Sequence, residues 1–328
     1  VMESAITMIA DGRLYYRGHD AVGLAESRSI EEVAALLWRG DLATGDALFA
    51  KKMQLPARCL AVRKHLSDIA TIEALQILVS LAAVDDIAGS DLRPAAVAQT
   101  GARILGLMSA FAAGGIGEGK SIARTLQSAW APRRPKGADL INTALILCAD
   151  HELNVSSFTA RCVASAGSTP YAVVVGGLTA LQGVKHGRAT ERVEALLREA
   201  RTPQGIASVM AAHLKRGDRI PGFGHPLYPD GDPRGRMLLQ AVARTFHKSA
   251  ALAFADASSD AAMKLIGERP TIDFALVIAA RALGLAVDGA VTLFAIGRTV
   301  GWIGHAIEQY QRDRIIRPRA RYVGELPR

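Results

Sequence analysis

Cysteine is scarce in this 328-residue sequence: Cys59, Cys148 and Cys162 are the only three, and no two of them form a CxxC pair. That spacing excludes a disulfide-built scaffold and a zinc site made from paired thiolates, and it fits a reducing, cytoplasmic compartment. Aromatic residues are also sparse, at 5% against 50% hydrophobic residues overall. A core drawn from alanine and aliphatic side chains favours closely packed helices over a sheet, which relies on β-branched and aromatic residues. No apolar run reaches the roughly 18 residues that a bilayer span needs before a charge interrupts it, so no membrane partner is expected. Glu3 and Asp11 break the first apolar stretch, which argues against a secretory signal there, and the start at Val1 leaves room for a preceding segment. What is abundant is positive charge, with a net value of +8. Such a surplus suits any anionic partner. The basic densities "HLKRGDR" and "RDRIIRPRARY" lack interleaved aromatics, so nucleic acid is not the expected one.

Apolar periodicity predicts a fold that is almost wholly α, without an internal repeat or a low-complexity linker. "SRSIEEVAALLWRGD" carries a capping box, with Ser29 as N-cap and Glu32 three residues on, and Gly40 stands where the helix should end. The same spacing runs through "TIEALQILVSLAAVDD", "ADLINTALILCADHE", "TERVEALLREA" and "TPQGIASVMAAHL". "DPRGRMLLQAVARTFHKSAALAF" reads as one helix with Asp232 as its cap and Pro233 at its first position. "TIDFALVIAARALGL" and "AVTLFAIGRTVGWIGHAIEQYQ" are two more. Strand character is confined to "RLYYRGHDA" and "YAVVVGG".

Residues 114–121, "GGIGEGKS", match the phosphate-cradling pattern GxxxxGK[ST] letter for letter. A P-loop needs a buried strand before it and a parallel sheet around it. Here "GARILGLMSAFAAG" precedes it with helical spacing, and "ALILCADHE", which resembles a magnesium-binding strand, lies within another helical pattern. The glycines therefore read as a loop between helices with Lys120 in solvent, and nucleotide hydrolysis is the remote reading.

Three stretches carry chemistry. In "IPGFGHPLYPDGDPRGR", Gly222, Gly224 and Pro226 force an irregular loop that holds His225 at a fixed angle. Arg234 lies nine residues on, in the first turn of a helix, where the backbone N–H groups already favour an anion and a guanidinium can grip a carboxylate with two prongs. The second stretch runs from His151 to His186. It lacks a second histidine four residues after His151, so the HExxH metal pattern fails and no metal is expected. In the third, Asp273 precedes the apolar helix of "TIDFALVIAARALGL". Taken singly, each has an ordinary structural explanation: a Gly/Pro turn, a hydrogen-bonded histidine, a helix-start charge.

Together they resemble the citrate synthase family. "HELNVSSFTAR", "KHG", "GFGHPLYPDGDPR", "TIDF", "FAIGRTVGWIGHAIEQ" and "IIRPRARYVG" occur in that family's order and approximate spacing, and "LYYRGHDAVGLAESRSIEEVAALLWRGDL" resembles its opening segment. Residues 45–135 match loosely. The resemblance implies an all-helical homodimer, with a large domain over 1–187 and 286–328 and a smaller mobile one over 188–285. It implies condensation of acetyl-CoA with oxaloacetate to citrate and free CoA, with no cofactor beyond the CoA thioester substrate. Asp273 matches the base that removes the methyl proton. His186 matches the donor to the thioester oxygen, and His225 the histidine that polarises the ketone of oxaloacetate. His151, Arg234 and Arg298 match oxaloacetate-binding positions, and Arg317 one that crosses into the partner subunit's site. Lys215, Arg216 and Arg219, in the loop before the GFGH histidine, are the candidates for CoA.

The chain departs from the family pattern in three places. Pro229 replaces a basic residue four positions after His225, Arg188-Ala189-Thr190 follows Gly187 where Gly-Ala-Asn is common, and Ala275 and Leu276 replace a tyrosine and a serine. These changes keep open a 2-methylcitrate synthase using propionyl-CoA, and a weakly active or regulatory binding homologue.

Overall fold

The structure, a computed structural model, describes residues 2–50, 55–66, 68–115 and 121–325. It opens with an antiparallel meander of β1 (Thr7–Ala10), β2 (Arg13–Tyr16) and β3 (His19–Asp20), in which Thr7 pairs with Tyr16 and Tyr16 with His19. Asp11 and Gly12, at φ 50° and 70°, make the two-residue turn between β1 and β2. Asp-Gly is suited to that turn because both positions need positive φ. The "RLYYRGHDA" expectation thus holds, and the structure adds β1, which the sequence marks only by the turn after it.

Helices form the rest: α1 (Ala21–Ser27), α2 (Ile30–Arg39), α3 (Gly45–Leu48), α4 (Ala57–Arg63), α5 (Thr71–Asp85), α6 (Pro94–Ala112), α7 (Ile122–Trp130) and α8 (Gly137–Cys148). They continue with α9 (Val155–Ser165), α10 (Pro170–Leu181), α11 (Ala189–Ala200), α12 (Ile206–Lys215), α13 (Pro233–Thr245), α14 (Ala250–Ile266), α15 (Ile272–Leu283) and α16 (Gly289–Arg312). The capping box of α2 is present as expected, and Gly40 closes the helix at φ 78°.

Two expectations need correction. "YAVVVGG" is not a strand but the body of α10, started by Thr169 as N-cap and Pro170 in its first turn. The single helix expected from Asp232 breaks at Phe246, and Ser249 caps a new one. As expected, a charge, Arg298, interrupts the apolar run of α16; by length and mean hydropathy that helix could still span a bilayer, but the qualifying stretch is wholly buried inside the fold. It is a core helix whose charge, Arg298, is used internally.

Around the phosphate-loop match, the preceding segment is α6 and "ALILC" ends α8, so neither is a strand. Gly114 and Gly115 follow α6 at positive φ, and Ser121 caps α7. Residues 116–120, Lys120 among them, lie outside the described residues.

Helix α16 runs through the centre, packed by α2, α6, α8, α9, α10 and α15. Its close contact with the end of α8 depends on small residues. A Cβ at Gly297 would lie 2.6 Å from the Leu145 carbonyl, and one at Gly301 2.4 Å from Asp150 Oδ1. The segment that follows α8 is thereby pressed against α16, and both elements carry site residues.

Candidate active site

The first wall of the site is a loop. Residues 222–224 run against 269–271: Thr271 N–H donates to the Gly222 carbonyl (2.9 Å), Gly224 N–H donates to Arg269 (3.0 Å), and Phe223 bridges Pro270. Gly222 and Gly224 sit at φ 85° and 77°, and a Cβ on either would strike Val193 or Glu268. This pairing brings His225 beside the start of α15, where Asp273 stands in the first turn. The His225 ring is oriented by the Leu227 N–H, which donates to Nδ1 (3.2 Å). The neutral imidazole therefore carries its proton on Nε2. Burial, with the Arg234 charge nearby, lowers the His225 pKa and favours that neutral form.

Arg234 does make a two-pronged grip, but on Asp232 of its own chain: Nε to Oδ1 at 2.9 Å and a terminal nitrogen to Oδ2 at 2.8 Å. Asp232 also accepts from the Arg234 N–H, as cap of α13, and from the Ile272 N–H of α15 (3.0 Å). One buried carboxylate thus joins the starts of two helices. Burial alone would raise its pKa, but Arg234 and these donors hold it below the usual carboxylate range.

The second wall is helical. After α8 ends, His151 enters the site and Glu152 turns the chain at φ 52°. His151 Nε2 lies 2.9 Å from the Tyr228 hydroxyl, and its ring meets that of His225 edge-on at 5.3 Å. Burial, together with the charges of Arg234 and Arg298, holds His151 far below the ordinary histidine range, so it is neutral. Arg298, buried on α16, donates Nε to the Cys148 carbonyl (2.7 Å) and lies over the Phe294 ring (4.7 Å).

His186, between α10 and α11, lies 2.8 Å from the Ser156 hydroxyl through Nε2 and edge-on to Phe294. Ser156 also receives the Trp302 indole N–H (3.2 Å) and donates to Asn154 Oδ1 (2.9 Å). With the hydroxyl proton used on Asn154, His186 donates through Nε2 and presents a bare Nδ1. Turning the Ser156 proton onto Nε2 would reverse this and make Nδ1–H the donor. Burial lowers the His186 pKa to about 4, with Arg298 adding to the effect, so the ring is neutral at pH 7.

These groups share one electrostatic environment. His151 feels Arg234, Arg298, His225 and His186, and Asp273 feels Arg234, Asp232 and Arg298. Burial raises Asp273 to about 6 in spite of the two arginines. A carboxylate poised near neutrality, three neutral imidazoles and two guanidinium groups in one cluster suit proton abstraction next to a carbonyl, with an anionic co-substrate bound alongside.

Sequence and structure comparisons agree with this chemistry. The family described as "Citrate synthase, C-terminal domain" matches residues 1–319. The chain belongs to the citrate synthase family. Citrate synthase 2 of Bacillus subtilis is 30% identical over 98% of this chain and 93% of its own. The citrate synthase of Haloferax volcanii is 32% identical over 99% and 94%, and 2-methylcitrate synthase 2 of Corynebacterium glutamicum 30% over 96% and 90%. The citrate synthase of Thermoplasma acidophilum, solved as a ternary complex with carboxymethyl coenzyme A and oxaloacetate, superposes with a TM-score of 0.88 at 25% identity, covering 100% of this chain and 95% of that one.

Of the residues expected from the family pattern, His151, His186, His225, Arg234, Asp273 and Arg298 come together. Arg317 does not join them: it lies exposed on the extended segment after α16. Lys215, Arg216 and Arg219 are exposed at the end of α12 and beyond, and Arg216 pairs with Asp218 (3.2 Å). The Arg188 guanidinium, two residues after His186, faces Glu73 (3.8 Å) and Glu191 (3.9 Å). Tyr228, Ser156 and the bridging role of Asp232 were not foreseen. The one available signal was Asp232 itself, recognised as a helix cap without its second bond to α15.

Proposed function

We propose that this citrate synthase family enzyme, which condenses an acyl-CoA with oxaloacetate, uses acetyl-CoA and yields citrate and free CoA. Asp273 takes a proton from the methyl carbon, and the electron pair moves onto the thioester oxygen, where His186 donates a hydrogen bond from Nδ1–H, in the tautomer formed when the Ser156 proton turns onto Nε2. The resulting enolate carbon attacks the ketone carbon of oxaloacetate. The ketone oxygen becomes an alkoxide and takes the proton on His225 Nε2. Water then hydrolyses the citryl thioester and releases the CoA thiol. Each positioned hydrogen bond to developing negative charge is worth on the order of 10²-fold in rate.

The observation that carries this reading is Asp273, its pKa raised by burial to about 6, in the same cluster as the Nε2–H tautomer of His225. His151, Arg234 and Arg298 bind the two carboxylates of oxaloacetate. Lys215 and Arg219 meet the CoA phosphates, with Arg216 shared with Asp218. Residues 188–285 form the mobile domain, and the active form is a cytoplasmic homodimer in which Arg317 completes the partner's site. Its exposed position on the terminal segment supports that role. So do the exposed apolar residues Ile77 and Val84 of α5 and Val155 and Phe158 of α9, two helices that both pack on α10.

Relatives of both kinds at about 30% identity support propionyl-CoA as the second reading. One methylene changes specificity by only about 1–3 kcal/mol. Release of CoA thiol from purified protein with oxaloacetate decides between them. Faster release from acetyl-CoA is expected. Faster release from propionyl-CoA makes the enzyme a methylcitrate synthase, and silence with both favours a binding role.

A further inference from the structure

Behind the site, in a place that none of the chemistry above uses, lies a fully buried pair: His305 Nε2 donates to Asp150 Oδ1 at 3.2 Å. His305 is two helical turns beyond Arg298 on α16, and Asp150 immediately precedes His151. The pair is one rung of a ladder between α16 and the segment after α8. Arg298 Nε bonds the Cys148 carbonyl (2.7 Å), Gly301 N–H bonds the Ala149 carbonyl (2.9 Å), and Trp302 reaches Ser156 (3.2 Å), the partner of His186. Three site residues therefore depend on how α16 is registered against residues 148–156: Arg298 directly, His151 as the neighbour of Asp150, and His186 through Ser156.

The other rungs do not set that register alone. Two of them end on backbone carbonyls, which repeat along the chain and tolerate a shift. The His305–Asp150 rung, like that of Trp302 and Ser156, joins two specific side chains, and of the two it alone ends on the residue next to His151. A buried polar pair is weak evidence for stability, since well-packed apolar residues of similar volume often do as well or better, but it can specify a unique arrangement. Asp150 also has a second relation to the site, because its charge favours the ionised form of the buried Arg298.

We propose that His305 and Asp150 are positioning residues for oxaloacetate binding, locking α16 to the segment after α8 so that Arg298 and His151 grip one substrate together. This rests on the assignment of Arg298 and His151 to oxaloacetate.

The test compares His305→Leu, which keeps bulk and removes the donor, with His305→Gln, whose amide can still donate to Asp150. Full-length protein is titrated with oxaloacetate by calorimetry, and kcat and KM are measured with acyl-CoA. His305→Leu should raise the oxaloacetate Kd and KM about tenfold with kcat changed less than threefold, and His305→Gln should restore most of the loss. An oxaloacetate Kd within twofold of wild type in His305→Leu, with only the melting temperature altered, overturns the proposal. So does a loss that His305→Gln fails to repair while Asp150→Asn reproduces it, which would assign the effect to the Asp150 charge. Arg298→Ala is run alongside. If it binds oxaloacetate as wild type does, the assignment of that arginine has failed, separately from the positioning role.

Discussion

The two walls of the site hold an arginine in opposite ways. On the loop wall, Arg234 is locked to a carboxylate before any substrate arrives, and that carboxylate, Asp232, also ties α13 to α15. On the helical wall, Arg298 has no carboxylate in direct contact among the described residues; it rests on a carbonyl and an aromatic face, with the buried Asp150 favouring its charge. The loop wall is organised by a single ion pair. The helical wall is organised by the packing of α16 against its neighbours. A group on the loop wall is therefore sensitive to the loss of one carboxylate, while a group on the helical wall answers to the register of a helix.

Breaking Asp232 tests this contrast most severely. Asp232→Asn leaves Arg234 buried without its counter-charge, and removing one partner of such a pair costs about 3–5 kcal/mol. Denaturant unfolding should show a loss of that size, and oxaloacetate binding should weaken ~10²-fold or more. An Asn variant as stable as wild type would mean that the loop wall is not built on this pair.

Tyr228 gives a smaller, sharper test, because its hydroxyl joins the loop wall to His151 on the helical wall (2.9 Å). Tyr228→Phe keeps the ring beside His225 and loses one hydrogen bond, worth about 0.5–1.5 kcal/mol. The oxaloacetate KM should rise roughly two- to tenfold with stability little changed. An unchanged KM would remove Tyr228 from the site's working parts.

The difference between the walls also explains what could be read from sequence. His225 and Arg234 were legible because glycine, proline and cap residues mark the loop and the helix start that hold them, whereas Asp273, taken singly a helix-start charge, was legible through the resemblance of the whole ordered motif set to one family. His151, His186 and Arg298 were legible only through that resemblance, since a histidine or arginine within a helical pattern carries no local sign of its use. Tyr228 and Ser156 act through contacts 77 and 30 residues away in sequence, which no local pattern encodes. The valine run of α10 looked like a strand because β-branched residues favour one. Its Thr-Pro start was the better guide, and burial among α5, α9 and α16 overrides the valines' weak local preference.

The account rests above all on Asp273 acting as a base raised to about 6 by burial. The dependence of kcat/KM on pH, taken for wild type and Asp273→Asn, addresses it directly. Because the base must be ionised to act, wild-type kcat/KM should be level above the Asp273 pKa and fall tenfold per pH unit below a midpoint near 6. Asp273→Asn should lose ~10³-fold in kcat, show no such limb, and keep its oxaloacetate affinity within about threefold. A midpoint near 4, or an Asn variant that retains the wild-type limb, would contradict the assignment of Asp273 as the base.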